Sequence, residues 1–220
     1  MRGAGRACIR VNLSRCYAMS EKTAGLEGLL KEIRACRVCA QALPHMPRPV
    51  LRVSTTARLL ICGQAPGTRV HASGTPFTDP SGVRLRSWLG VSEEEFYDIS
   101  RVAIIPMGLC FPGLDSKGGD KPPRKECAPL WRPRLQPYLG NVRLTLAVGS
   151  YAHQWFFPEA GKRPMTEAVR TWAAVGPDAG DVVPLPHPSW RNNRWLKDNP
   201  WFETDLLPEL RRRVRAVLAD

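Results

Sequence analysis

No apolar run in this 220-residue chain approaches the ~20 residues that a membrane span requires, so no membrane-spanning helix is expected, and no internal repeat is visible. Acids are scarce: 20 Asp and Glu stand against 32 Lys and Arg, which gives a formal charge of +12 and a pI of about 9.9. That imbalance fits a chain whose partner is a polyanion. Histidine is rarer still, at four residues, so imidazole chemistry has few candidates. No secretory signal is recognisable, and seven cysteines, an odd count, fit reduced thiols or a metal site inside the cell better than a disulfide framework. With 43% hydrophobic residues the chain can bury one sizeable α/β core.

The first eighteen residues carry four arginines and no acid, and a second methionine follows at Met19. This composition fits an organellar transit peptide, a start placed too early or a disordered basic arm. Residues 1–20 are therefore read as an extension and 21–220 as a single domain, with Cys8 and Cys16 left out of the fold argument. The expected location is cytoplasmic and nucleoid-associated, with organellar targeting by residues 1–18 left open.

From Glu21 the spacing of Leu26, Leu29, Leu30 and Ile33 predicts an amphipathic helix that runs into Cys36 and Cys39. Alone, this C-x-x-C is compatible with a redox pair, half a metal site or two buried thiols. The run Leu59 to Cys62 reads as a strand buried on both faces, ending at once in Gly63, Gln64, Ala65, Pro66 and Gly67. Glycines at both ends allow backbone to approach a flat ligand closely, although such a loop is by itself a weak signal. A polar loop around Thr68, Arg69 and His71 is expected next, then Ser81 as the N-cap of a helix through Leu85 and Trp88, and a Ser92/Glu95 capping box. Phe77, between two prolines, plugs the core edge or stands as a platform for a planar ligand.

A second strand, Val102 to Pro106, leads to Cys110, and after sixteen intervening residues comes Cys127 in the first turn of a helix read from about Arg124 to Leu135. A third strand spans Val142 to Val148, followed by a helix holding Trp155 and Phe156, and a fourth spans Asp181 to Leu185. Strands alternating with helices predict a three-layer α/β/α fold with a central, mostly parallel four-stranded sheet. The fourth strand ends in a stretch where Arg191, Arg194 and Lys197 interleave with Trp190, Trp195, Trp201 and Phe202, beside Asn192 and Asn193. Cations that pair with phosphates among aromatics that stack on bases make a nucleic-acid contact, while the competing reading buries the tryptophans, Trp201 and Phe202 first, against a helix from Thr204 to about Leu218.

In order, GQAPG after a strand, PF-x-x-x-SG, a strand ending near a cysteine, LAVGSYA and HPS with a basic tail resemble the uracil-DNA glycosylase superfamily, from Cys36 to the last helix. The resemblance extends to its iron–sulfur type, with a C-x-x-C before the first motif and a cysteine pair some sixteen residues apart after the second strand. It implies that Cys36, Cys39, Cys110 and Cys127 hold a structural [4Fe–4S] cluster, a Cys₄ zinc site being the chemical alternative. It further implies a partner, DNA containing uracil or another deaminated base, and a monomeric glycosylase that flips the base and hydrolyses its N-glycosidic bond. Gly63, Gln64, Ala65 and Gly67 would form the water- and base-binding wall with Ser189, Phe77 would stack on the base, and His187 would hydrogen-bond its carbonyl oxygen. Trp190, Arg191, Asn192, Arg194 and Lys197 would contact DNA. His45, His71 and His153 are read as surface or satisfied core residues.

Two departures stand out. Gln64 and Ala65 occupy the place where several relatives have an acid, which leaves Asp79, otherwise a helix cap, as the nearest carboxylate. Pro106 and Met107 stand where most relatives read the base with an asparagine, so selectivity is open. A second function on the same fold is a protein that holds damaged or abasic DNA, through His187, without efficient turnover.

Overall fold

The structure is a computed structural model that describes residues 13–158, 164–175 and 180–219, with side chains from residue 21. The opening basic segment through residue 12, with Cys8, lies outside the described residues, as does the Cys16 side chain. The helix expected from Glu21 starts earlier, α1 spanning Leu13–Ala35, and it buries Leu26, Leu29 and Ile33.

Thereafter the chain runs β1 (Leu59–Cys62), α2 (Thr68–Ser73), α3 (Pro80–Leu89), α4 (Glu93–Tyr97), β2 (Val102–Ile104), α5 (Cys127–Leu135), β3 (Leu144–Val148), α6 (Ser150–Phe156), α7 (Met165–Val175), β4 (Val182–Leu185), α8 (Asn193–Asp198) and α9 (Leu207–Ala219). The four strands form one sheet in the order β2-β1-β3-β4, every pair parallel.

Alternation along β1 explains the layers. Leu59 and Ile61 enter one core with Leu85, Leu89, Val169, Leu210 and Val214, from α3, α7 and α9. Leu60 and Cys62 enter the other with Leu29, Ile33, Trp131 and Ala152, from α1, α5 and α6. Both faces of the sheet are covered, as a parallel sheet requires, and each fully buried Leu or Ile contributes about 1.5–3 kcal/mol of transfer free energy.

Several expected boundaries are corrected. The loop around Thr68 and His71 is α2, a short helix closed by Gly74 in the left-handed conformation. Ser81 lies inside α3, whose cap is Asp79, with Oδ1 accepting from the Gly82 N–H at 3.0 Å. The capping box of Ser92 and Glu95 is present. α5 begins at Cys127, three residues after Arg124, because Pro122 and Pro123 belong to the loop before it. α7 and α8 were not anticipated, and the last helix is entered through a π turn at Phe202–Leu206. Among the described residues no helix is long and apolar enough to cross a membrane.

Candidate functional site

The connection from β1 runs to β2 at one edge of the sheet and that from β3 runs to β4 at the other, and such a reversal between neighbouring strands opens a crevice at their carboxyl ends. A cavity of about 590 Å³ lies there. The GQAPG loop forms one wall, pinned from behind because the Gly63 carbonyl accepts from Met107 N–H at 2.9 Å and the Gln64 carbonyl from Gly108 N–H at 2.8 Å. β3 ends at Gly149, whose φ of 83° places it where side chains are rarely tolerated, and a Cβ there would face the His187 ring. His187 follows β4, and its carbonyl accepts from Asn192 Nδ2 at 2.6 Å. Arg84 of α3 reaches across to donate to the Ser189 carbonyl at 3.0 Å.

Phe77 is the one non-glycine residue among those described with positive φ, at 56°. Its ring lines the cavity, packs edge-on against Phe96 with centroids 6.0 Å apart, and comes so near Gly63 that a Cβ there would sit 3.3 Å from it. A Cβ on Gly82 would overlap the Phe77 carbonyl. The glycine of PF-x-x-x-SG is therefore a steric requirement of the Phe77 turn, and a left-handed phenylalanine costs on the order of 1–3 kcal/mol that the packing must offset.

Burial pushes the His187 pKa down, Asp79 pulls it back and Arg191 adds to the depression. The imidazole is thus held neutral near pH 7, able to donate one N–H without a buried positive charge. Asp79 borders the same cavity while capping α3. Gln64 is committed as well, its Nε2 donating to the Lys121 carbonyl at 3.2 Å.

Gly63, Gln64, Ala65, Gly67, Phe77, Asp79, His187, Ser189, Trp190, Arg191 and Asn192 all line this cavity. Trp190, 73% exposed, is an aromatic at its rim, with the Arg191 guanidinium 5.6 Å from its ring centroid. Two of the expected DNA contacts do not line it. Arg194 is paired with Asp198 at 2.8 Å, and Lys197 borders a separate shallow depression beside Glu203. Trp195 and Trp201 pack on Phe202 in the core, Trp195 donating to Thr166 Oγ1 at 2.6 Å, so neither is a stacking platform. Arg191 reaches Gly119, close enough that a Cβ there would sit 3.1 Å from its Nη1. The sequence reading overlooked Asp120, on the wall beside Gly67; SKGGD reads as a turn, and its two glycines were the only signal.

Cys36, Cys39, Cys110 and Cys127 border a second, small cavity with Arg124 and Trp131. Burial and the neighbouring sulfurs push the Cys110 thiol up to about 12 and the Cys127 thiol up to about 11. Burial also raises Cys39, opposed by a hydrogen bond from Arg124, and Leu109 N–H donates to Cys127 Sγ at 3.3 Å. Four sulfurs that repel one another as thiolates, with N–H donors aimed at them, suit a positive centre. Among the described residues no three His, Cys, Asp or Glu are gathered as a single metal ion requires. Cys62 is an ordinary core thiol, 3.3 Å from Arg132 Nη2. Of the remaining histidines, His153 is buried, and His45 stacks on both His71 and Phe111.

Compared with families of known proteins, residues 52–211 match the model of the uracil DNA glycosylase superfamily. The matched span holds all four strands, GQAPG, Phe77, Asp120 and His187, and of the four thiols bordering the small cavity it leaves only Cys36 and Cys39 outside.

Proposed function

The chain belongs to the uracil DNA glycosylase superfamily, whose members are DNA glycosylases, and from that premise we propose that it removes a deaminated base, uracil first, from DNA and leaves an abasic site. A base inside a duplex is beyond the reach of side chains, so it is turned out into the cavity. Phe77 supports its face, the GQAPG backbone and Ser189 border its edge, and Trp190, Arg191 and Asn192 at the rim meet the strand. As the glycosidic bond breaks, charge collects on the base, and His187 donates to the carbonyl oxygen that receives it. One preorganised donor of this kind is worth about 3–4 kcal/mol of barrier.

The observation that carries this reading is half-buried His187, its pKa lowered chiefly by desolvation, in one cavity with Phe77 and GQAPG. The described lining contains no lysine, so no amine is at hand to attack C1′, and the product is the abasic site of a monofunctional enzyme. Cys36, Cys39, Cys110 and Cys127 would hold a [4Fe–4S] cluster, in which each iron takes one thiolate; a single zinc ion would need all four sulfurs about one point. When bound, the cluster supplies a rigid tie between the end of α1, the exit of β2 and the start of α5.

The test is cleavage by alkali of uracil-containing oligonucleotides after incubation with the protein. Strand scission at the uracil position is expected. Tight binding to uracil or abasic DNA with no scission would establish the DNA-holding alternative instead.

A further inference from the structure

The geometry points to Asp120 as the carboxylate that orients and deprotonates the attacking water, with Gln64 as the residue that positions it; this inference rests on the glycosylase reading above. GQAPG carries no acid, and Asp79 already spends Oδ1 on the α3 cap. Asp120 fills the gap from another part of the chain. Its carboxylate lies over the end of GQAPG, so close that a Cβ on Gly67 would sit 3.3 Å from Oδ2 and 3.8 Å from Oδ1. It accepts no hydrogen bond from the described residues, which leaves both oxygens to water.

The loop beneath it is rigid. Leu114 and Asp120 form an antiparallel bridge, Asp115 N–H donates to the Gly119 carbonyl at 2.7 Å, and Lys121 N–H to the Gly113 carbonyl at 2.9 Å. Asp115 Oδ1 accepts from the Lys117 and Gly119 N–H groups, each at 2.8 Å, and closes the turn. Gln64, where relatives carry an acid, grips the next carbonyl, that of Lys121, and so ties the loop to the base-binding wall. An amide at the acid's usual place thus holds a carboxylate from elsewhere in position.

Four charged or titratable groups face Asp120: Asp79 and Asp115 repel it, Arg191 attracts it, and His187 shares the cavity in neutral form. Asp120 is exposed at the cavity mouth, yet desolvation by the surrounding wall outweighs Arg191, and its carboxyl pKa is raised from its ordinary value. A base with a raised pKa is the stronger proton acceptor. In the step itself the C1′–N bond breaks with its electron pair leaving on the base, the water oxygen forms the new C1′–O bond, and the water proton passes to Asp120. Solvent then takes that proton, and another from solvent neutralises the base.

The experiment is single-turnover excision of uracil from a single-stranded oligonucleotide across the acid range, with equilibrium binding of the same strand measured in parallel. Wild-type excision should rise with pH as a carboxyl ionises, at a pH shifted upward from that of a free aspartate. Asp120→Asn, equal in size and expected to fold normally, should lower the rate about a hundredfold and erase that rise, while DNA binding stays within about twofold. Gln64→Leu should lower the rate less, about tenfold, and keep the rise, because the carboxylate is displaced but present. If Asp120→Asn keeps both rate and pH profile, or if Asp79→Asn is the variant that erases the rise, the assignment is wrong although the enzyme is a glycosylase. A wild type that excises no deaminated base overturns the glycosylase reading and this inference together.

Discussion

The cavity beyond the carboxyl ends of β1, β3 and β4 is wide and edged by polar groups open to solvent, whereas the cavity among the four thiols is small and walled by proline, leucine and tryptophan. The first suits a ligand that enters and leaves, the second one that stays. Their electrostatics differ in the same sense. In the first cavity desolvation lowers the His187 pKa and so favours the neutral ring, and in the second burial and mutual repulsion raise the pKa of Cys110 and Cys127. One segment serves both, because residues 111–126 have their feet at Cys110 and Cys127 and Asp120 near their tip.

The sharpest way to break this division is at His187. His187→Ala should lower single-turnover excision by roughly a hundredfold to a thousandfold, the loss expected for one preorganised donor, with little change in the thermal midpoint. A midpoint that falls in step with the rate would make His187 part of the scaffold. Next in size comes the thiol cavity. Purified protein should be brown, and Cys127→Ala or Cys36→Ala should bleach it and lower the midpoint by on the order of 10 °C, several kcal/mol at roughly 2–4 °C per kcal/mol. Excision per folded molecule should fall only about tenfold, passed on through a loosened Asp120 loop. Equal losses in chemistry from Cys127→Ala and His187→Ala would erase the distinction between the cavities, and colourless protein with stoichiometric zinc would replace the cluster. The smallest effect concerns the rim. Arg191→Ala should flatten the salt dependence of DNA binding by about one unit of log–log slope, because one phosphate fewer is neutralised, whereas Arg194→Ala, whose guanidinium is taken up by Asp198, should leave it unchanged. The reverse result would move the DNA path onto α8.

What the sequence disclosed was local. GQAPG, PF-x-x-x-SG and HPS are short, each fixed by a steric or hydrogen-bonding need of its own neighbourhood, and four cysteines keep their spacing whatever happens between them. The sheet was legible for the same reason, since strands buried on both faces read as continuous apolar runs. Long-range facts were hidden. Asp120 lies in a stretch that looks like a solvated turn, and only the fold brings it to Gly67, fifty-three positions earlier. α2, at six residues, is too short to signal itself by periodicity and is stabilised by what it packs on. The aromatic and basic tail misled because alternation says nothing about depth: Trp190 is exposed while Trp195, five residues on, packs on Phe202.

The strand order also bears on how the chain assembles. β1 is made first but occupies the interior of the sheet, and its second partner, β3, lies more than eighty residues downstream. Every pairing is parallel, so no strand can zip onto its neighbour through a tight turn, and pairings distant in sequence must be won before any ladder is complete. During synthesis β1 and β2 can pair while one flank of β1 stays open, an adhesive edge in a crowded solution. His187 follows the last strand to dock. A nascent or truncated chain that stops short of β4 therefore carries Phe77 and GQAPG without His187, and on the function proposed above it would excise no base before the sheet is finished.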